Sequence, residues 1–131
     1  MLLYQFFANN AQDDNTKMNL DELTINIRRV SKEDVVQKLA EHIQLWKNDE
    51  RNAVELRENV ERFLGNIWID KRADFDKIYI MWTGFKTTAI DGIGGMTINE
   101  RLYWFGLFDL FDNAKNDAER DKFYRKLMAA R

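Results

Sequence analysis

The chain has 131 residues and a formal net charge of −2 at pH 7, and 45% of its residues are hydrophobic and 32% charged. This composition is typical of a single globular domain over 1–131 and excludes a disordered chain. A protein that neutralises many phosphates usually has a basic excess, so this charge balance argues against nucleic-acid binding. No apolar run approaches the ~20 residues of a membrane helix. The opening MLLYQFF is too short, and lacks the basic flank, for a secretory signal.

The counts of reactive residues exclude several kinds of site. There is no Cys, and therefore no disulfide framework and no thiolate ligand or nucleophile. His42 is the only His, which excludes a multi-His metal site and disfavours a Ser-His-Asp triad. These counts predict a protein without a metal, a cofactor or catalytic residues, and they suit the reducing cytoplasm.

The N-terminal thirty residues predict a short β element. Residues 2–8 are an aromatic run that fits a strand or the first turns of a helix, and residues 9–21 are polar and loop-like. Leu23, Ile25 and Ile27 alternate with polar residues, which favours a half-buried strand able to pair with residues 2–8.

Two helices are predicted next. The first begins at Ser31, with Asp34 at its third helical position, and its apolar residues keep helical spacing as far as Trp46. The second covers about 49–64 and ends at a Gly-Asn pair. The apolar residues of the following connection, 67–69, are predicted to fill the core from a loop.

Residues 73–93 fit a third helix, because their large apolar residues are separated by steps of three and four. These residues are Phe75, Ile78, Trp82, Phe85, Ala89 and Ile93. The alternative is a strand at 77–85, since IYIMWTGF is rich in aromatic residues, and that alternative would make the fold α+β. The spacing favours the helix.

Residues 96–111, MTINERLYWFGLFDLF, predict one helix that is apolar around nearly its whole circumference. Thr97 can cap it, and Glu100 stands where its carboxylate can reach back to the Thr97 amide. Such a helix is either buried or presents a second face to a partner. A last helix, 117–130, follows the cap Asn116. The predicted fold is therefore mainly α, a compact bundle of about five helices.

Part of this stretch, Thr97 to Ala114, resembles the C-terminal segment of a loose group of small uncharacterised bacterial proteins. The matching positions are Thr97, Ile98, Asn99, Glu100, Arg101, Leu102, Gly106, Leu107, Phe111, Asp112 and Ala114. The resemblance covers about 18 residues and implies a bacterial or phage origin. It implies no activity.

Three features are candidate sites, each with a structural alternative. The glycines of 92–95 precede a capped helix and could bind an anion, but no Lys follows them, which favours a tight turn. His42 could act as a base, yet it lies beside the core stripe, as a boundary residue does. Asp109 and Asp112 could pair for acid-base chemistry or bind a divalent ion together with Glu100. We expect Asp109 to be exposed; a buried Asp109 would need Arg101 or Lys86 as its partner.

The seventeen aromatic residues exceed what a five-helix core is expected to hide. We therefore predict a protein-binding protein of the inhibitor, immunity or adaptor type, with a protein partner that could be basic. The predicted contact residues are Tyr103, Trp104, Phe108, Asp109 and Asp112. The first alternative is a homo-oligomeric structural protein, and the second is a small-ligand binder or enzyme near His42 or the Gly92 loop.

Overall fold

The computed structural model describes residues 17–131, and within them the fold is mainly α and contains no strand. The seven α-helices of this part are α1 (Leu20–Val30), α2 (Asp34–Trp46), α3 (Ala53–Leu64), α4 (Arg72–Phe85), α5 (Ile98–Trp104), α6 (Phe108–Asp112) and α7 (Asp117–Lys126). A π-helical segment (Lys86–Asp91) and a 3-10 turn (Ile93–Gly95) connect α4 to α5. The mainly α prediction is confirmed, and the aromatic run 2–8 lies outside the described residues.

Helix α1 replaces the strand predicted over residues 23–28. Asn19 and Glu22 form a capping box, in which each side chain accepts from the other residue's amide at 2.9 Å. Leu23 and Ile27, four residues apart, are fully buried, whereas Ile25 between them is 48% exposed. Leu23 and Ile27 therefore fit both the period of two of a strand and the spacing of four of a helix. The capping box favours the helix.

Helices α2 and α3 are both shorter than predicted at their first turns. The Ser31 hydroxyl accepts from the Glu33 amide at 3.1 Å, so it shapes the turn before α2 and does not cap the helix. Helix α3 begins at Ala53 because Asn52 forms a capping box with Glu55. The residues before Asn52 belong to the turn between the helices.

Residues 77–85 are helical, so the strand alternative is wrong. Ile78, Trp82 and Phe85 are buried on one face of α4, as the spacing predicts. The regular helix ends at Phe85, short of the predicted end at Ile93, and the π-helical segment follows. A Cβ at Gly92 would lie 2.6 Å from the Thr88 carbonyl oxygen, so glycine is required where that segment ends.

The single helix predicted over 96–111 is wrong, because the chain turns at Gly106. The predicted capping box of Thr97 and Glu100 is present at the start of α5. Gly106 has φ +65°, its amide donates to the Tyr103 carbonyl at 3.1 Å, and the Leu107 amide donates to the Leu102 carbonyl at 2.8 Å. These two bonds are a Schellman motif, which ends α5 and starts α6 in a new direction.

The core lies where α2, α4 and the end of α5 meet. The ring centroids of Trp46 and Phe105 are 5.4 Å apart, and those of Phe85 and Phe105 are 5.5 Å apart. Helix α1 packs on α2 and α4, and its Thr24 hydroxyl accepts from the Gln44 side chain at 3.0 Å. None of the helices in residues 17–131 is long and apolar enough to cross a membrane.

The connection between α3 and α4 only partly fills the core. Ile69 is buried and Ile67 half-buried, but Trp68 is 82% exposed, contrary to the prediction for residues 67–69. The Asp70 amide donates to the Glu33 carboxylate at 3.1 Å and holds this loop against the start of α2. The loop is therefore fixed with Ile69 inward and Trp68 outward.

Candidate functional site

Two buried cations hold the C-terminal helices in place. The Arg101 guanidinium, on α5, donates to the carbonyl oxygens of Met96 at 3.1 Å, Leu127 at 2.9 Å and Met128 at 2.8 Å. Carbonyls at a helix end have no partner within the helix, so Arg101 satisfies those at the end of α7. This side chain therefore joins α5 to α7.

Lys126 fixes α7 against the turn between α2 and α3. Its buried ammonium donates to the carbonyl oxygens of Asp49 and Arg51, each at 2.8 Å, and lies 4.0 Å from the centroid of the Trp46 ring. Burial lowers the pKa of Lys126, and the Asp49 carboxylate opposes that change. Burial acts to raise the pKa of Asp49, but hydrogen bonds from Arg51 and the charge of Lys126 outweigh it, so this pKa lies below its usual value.

The predicted contact residues lie on α5 and α6, on either side of the Gly106 turn. We call Tyr103, Trp104, Phe108, Asp109 and Asp112 the aromatic–acidic surface. Tyr103 is 46% and Phe108 38% exposed, Trp104 is half-buried, and both aspartates are exposed. The Tyr103 and Trp104 rings meet edge to face, with centroids 5.3 Å apart. Phe108 and Asp112 are four residues apart on α6 and share one face of it.

Other apolar residues of α5, of α6 and of the turn between them pack against the protein. Leu102, Phe105 and Leu107 are buried. Phe111 packs edge-on against Phe123 and Tyr124 of α7, at centroid distances of 5.8 Å and 6.1 Å. The apolar residues of this stretch are thus divided between those that are buried or packed and the aromatic residues that are exposed.

The carboxylates of the aromatic–acidic surface have no neutralising partner within residues 17–131. The ion pairs of this part involve neither Asp109 nor Asp112. The two cations considered as partners for a buried Asp109 are engaged elsewhere: Arg101 binds carbonyls, and Lys86 pairs with Glu61 at 2.7 Å. The expectation that Asp109 is exposed is confirmed.

The other candidate sites are separate from this surface. His42 is exposed on α2, and its ring lies 5.0 Å from that of Phe63 on α3. In the glycine loop, the Gly95 amide donates to the Gly92 carbonyl and the Met96 amide to the Ile93 carbonyl. This is the tight turn that the sequence favoured. Glu100 serves as the cap of α5, and its hydrogen bonds with Thr97 lower its pKa.

Sequence reasoning missed the most exposed aromatic residue of the described chain, Trp68. A signal was available, because Trp68 stands between two other apolar residues in a short loop, and three consecutive side chains rarely all turn inward. An exposed apolar residue also occurs on α2, at Leu45, and single residues of this kind are normal on protein surfaces.

In the part of the chain that the structure describes, no three His, Asp or Glu side chains are grouped so that they could hold a metal ion. In comparisons with known proteins, no family model, no curated protein and no solved structure matched this chain.

Proposed function

We propose that this chain is a small protein-binding protein of the inhibitor, immunity or adaptor type. It acts by docking on or blocking a basic protein partner through the aromatic–acidic surface, and it performs no catalysis of its own. We place it in the cytoplasm of a bacterium, or in a phage that infects one. The observation that carries the proposal is that exposed aromatic rings, and two exposed carboxylates that make no ion pair within residues 17–131, lie on the consecutive helices α5 and α6.

The composition of this surface suits protein recognition. Tyr and Trp side chains anchor interfaces because they bury a large area and lose little conformational entropy. Carboxylates at the edge of an interface speed encounter with a cationic partner and disfavour acidic ones. Asp109 and Asp112 can have both effects on a partner, since no ion pair within residues 17–131 neutralises them.

Hydrogen bonds tie α5 and α6 to the rest of the fold, and order that exists before binding reduces the entropy lost on binding. The Gly106 turn and the Leu107–Leu102 hydrogen bond hold α5 and α6 at a defined angle. Arg101 ties α5 to the end of α7 from the buried side. The helices that carry the exposed rings are therefore anchored to the fold.

A pull-down with the tagged full chain, from a lysate of the source cells, tests this proposal when it is combined with mass spectrometry. We expect one stoichiometric basic protein, and we expect Tyr103→Ala or Asp109→Asn to weaken its capture about tenfold, as loss of an anchor residue does. Tyr79→Ala and Glu58→Gln are matched controls, because both residues are exposed and lie outside the surface. Equal capture by all four variants would contradict the proposal.

Light scattering on the purified protein distinguishes the main alternative, in which the same surface binds a second copy of the chain. A dimer that Tyr103→Ala dissociates, with no other protein captured, would replace the proposal with self-assembly. A monomer that captures nothing would contradict both functions.

A further inference from the structure

A cleft of about 350 Å³ opens between α2 and α3, away from the aromatic–acidic surface. This volume lies at the lower end of the roughly 300–1,000 Å³ that is usual for small-ligand pockets. Its floor is apolar, with Leu39, Leu56, Val60 and Phe63. The cleft therefore has room for the apolar part of one small molecule.

The rim of the cleft is basic. His42, Arg51 and Arg62 line it, and no carboxylate is among the lining residues. Arg51 is already paired with Asp49. Within residues 17–131 neither Arg62 nor His42 makes an ion pair. Two groups that can bind an anion are thus unneutralised above an apolar floor.

Neighbouring side chains hold these two groups in place. The Arg62 guanidinium donates from Nη1 to Asn59 Oδ1 at 3.1 Å, and the Asn59 amide group donates to the Glu55 carbonyl at 2.7 Å. The second guanidinium edge remains for a ligand. The His42 ring lies against Phe63, 5.0 Å between centroids, which places an imidazole beside the apolar floor.

We propose that this cleft binds a small amphiphilic monocarboxylate. Its aromatic or aliphatic body lies on Leu56, Val60 and Phe63, and its carboxylate accepts hydrogen bonds from Arg62 and His42. A guanidinium edge matches the two oxygens of a carboxylate, and such charge-assisted pairs are the stronger hydrogen bonds. An apolar floor beside a cationic rim selects a molecule that has both parts. This site is independent of the protein-binding surface proposed above.

Titration of the isotope-labelled full chain with 1-naphthoate, followed by two-dimensional NMR of the backbone amides, tests the proposal. We expect shifts at residue 42 and over 59–63, and binding at least about tenfold weaker for the neutral analogue 1-naphthalenemethanol. No shift at about 5 mM naphthoate, shifts confined to other residues, or equal affinity for the two probes would overturn it.

Two substitutions at exposed positions test which side chains bind the carboxylate of the ligand. Arg62→Gln and His42→Ala should each weaken naphthoate binding, by about tenfold for Arg62, and should leave the affinity for the alcohol unchanged. Arg125→Gln is the matched control, since Arg125 is an exposed arginine on α7. If Arg62→Gln and Arg125→Gln bind naphthoate equally well, the carboxylate does not lie on Arg62 and the proposal is wrong.

Discussion

Helices α5 and α7 end with the same hydrogen-bond pattern but with different residues at the turn. At the end of α5 the left-handed residue is Gly106, with φ +65°; at the end of α7 it is Met128, with φ +55°. In α7 the Met128 amide donates to the Arg125 carbonyl at 3.1 Å, and the Ala129 amide donates to the Tyr124 carbonyl at 2.8 Å. Both are Schellman motifs, a position where glycine is the usual residue.

The surroundings explain the difference between the two turns. A Cβ at Gly106 would lie 2.6 Å from Asp21 Oδ2, and Asp21 is held by Lys47 at 2.8 Å. The Met128 side chain is 42% exposed, and the carbonyls beside it are bound by Arg101. A strained backbone is thus tolerated where tertiary hydrogen bonds offset it. Where another chain segment fills the space, only glycine fits.

The largest expected effect is the loss of the Arg101 contacts at the α7 turn. Arg101→Met keeps the apolar length of the side chain but leaves the carbonyls of Met96, Leu127 and Met128 without their donor. We expect the free energy of unfolding to fall by about 3–5 kcal/mol in urea denaturation. Arg101→Lys should recover only part of this, because one ammonium lacks the fork that reaches three acceptors. A loss below about 1 kcal/mol would show that the turn is held by other contacts.

The second effect concerns the α5 turn. Gly106→Ala adds a Cβ to a left-handed residue and places it against Asp21, so we expect a loss of about 2–3 kcal/mol. Gly94→Ala is the control, because a Cβ there meets nothing within 4 Å, and it should change stability by less than about 0.5 kcal/mol. Similar losses in the two variants would contradict the steric explanation.

The contacts of α7, unlike those of the α5 turn, should also make the free energy of unfolding depend on pH. The Asp49 carboxylate, part of the Lys126 tether of α7, has a pKa below its usual 3.8. The unfolded chain therefore binds a proton at Asp49 more readily, so this stabilisation is present above pH 3.8 and is lost as the pH falls through the lower folded value. Asp49→Asn should flatten this part of the curve of unfolding free energy against pH. Curves of equal slope for wild type and Asp49→Asn would disprove this role.

The smallest expected effect is a gain in the free energy of unfolding. Met128→Gly relieves the left-handed conformation at an exposed residue, while the more flexible unfolded chain offsets part of the benefit. We expect the free energy of unfolding to rise by about 0.5 kcal/mol, measured by urea denaturation. A decrease would mean that the Met128 side chain contributes packing that outweighs the backbone strain.

Local patterns predicted the helices well where a cap and a periodic stripe agree. The α5 cap, Thr97 with Glu100, and the buried face of α4 at Ile78, Trp82 and Phe85 follow the sequence directly. The strand predicted at Leu23 to Ile27 is wrong, because the same residues fit both the period of a strand and that of a helix. There the capping box at Asn19 and Glu22 is the deciding signal, and its Asn19 belongs to the stretch 9–21 that the sequence pattern assigns to a loop.

The candidate surface was only partly predictable. Aromatic and acidic residues of 103–112 could be named from the sequence, but their exposure depends on the turn at Gly106, which a single continuous helix would not produce. A signal for that turn existed, since a glycine at the end of a helix is often followed by an apolar residue, as Gly106 is by Leu107 here. For Trp68, the run of three apolar residues in a short loop indicates that one side chain turns outward, but it does not say which one.

The sequence by itself determined the helical class, several helix starts and the residues available for recognition. These depend on interactions within about four positions, which residue types and spacing encode directly. Only the tertiary structure decided where the predicted helix 96–111 divides into α5 and α6. It also decided which aromatic rings are exposed and what Arg101 and Lys126 bind. Apart from the Met96 carbonyl, the main-chain carbonyls that accept from them lie more than twenty residues away along the chain. Every residue carries such a carbonyl, so no residue type marks the acceptor, and only the folded arrangement selects it.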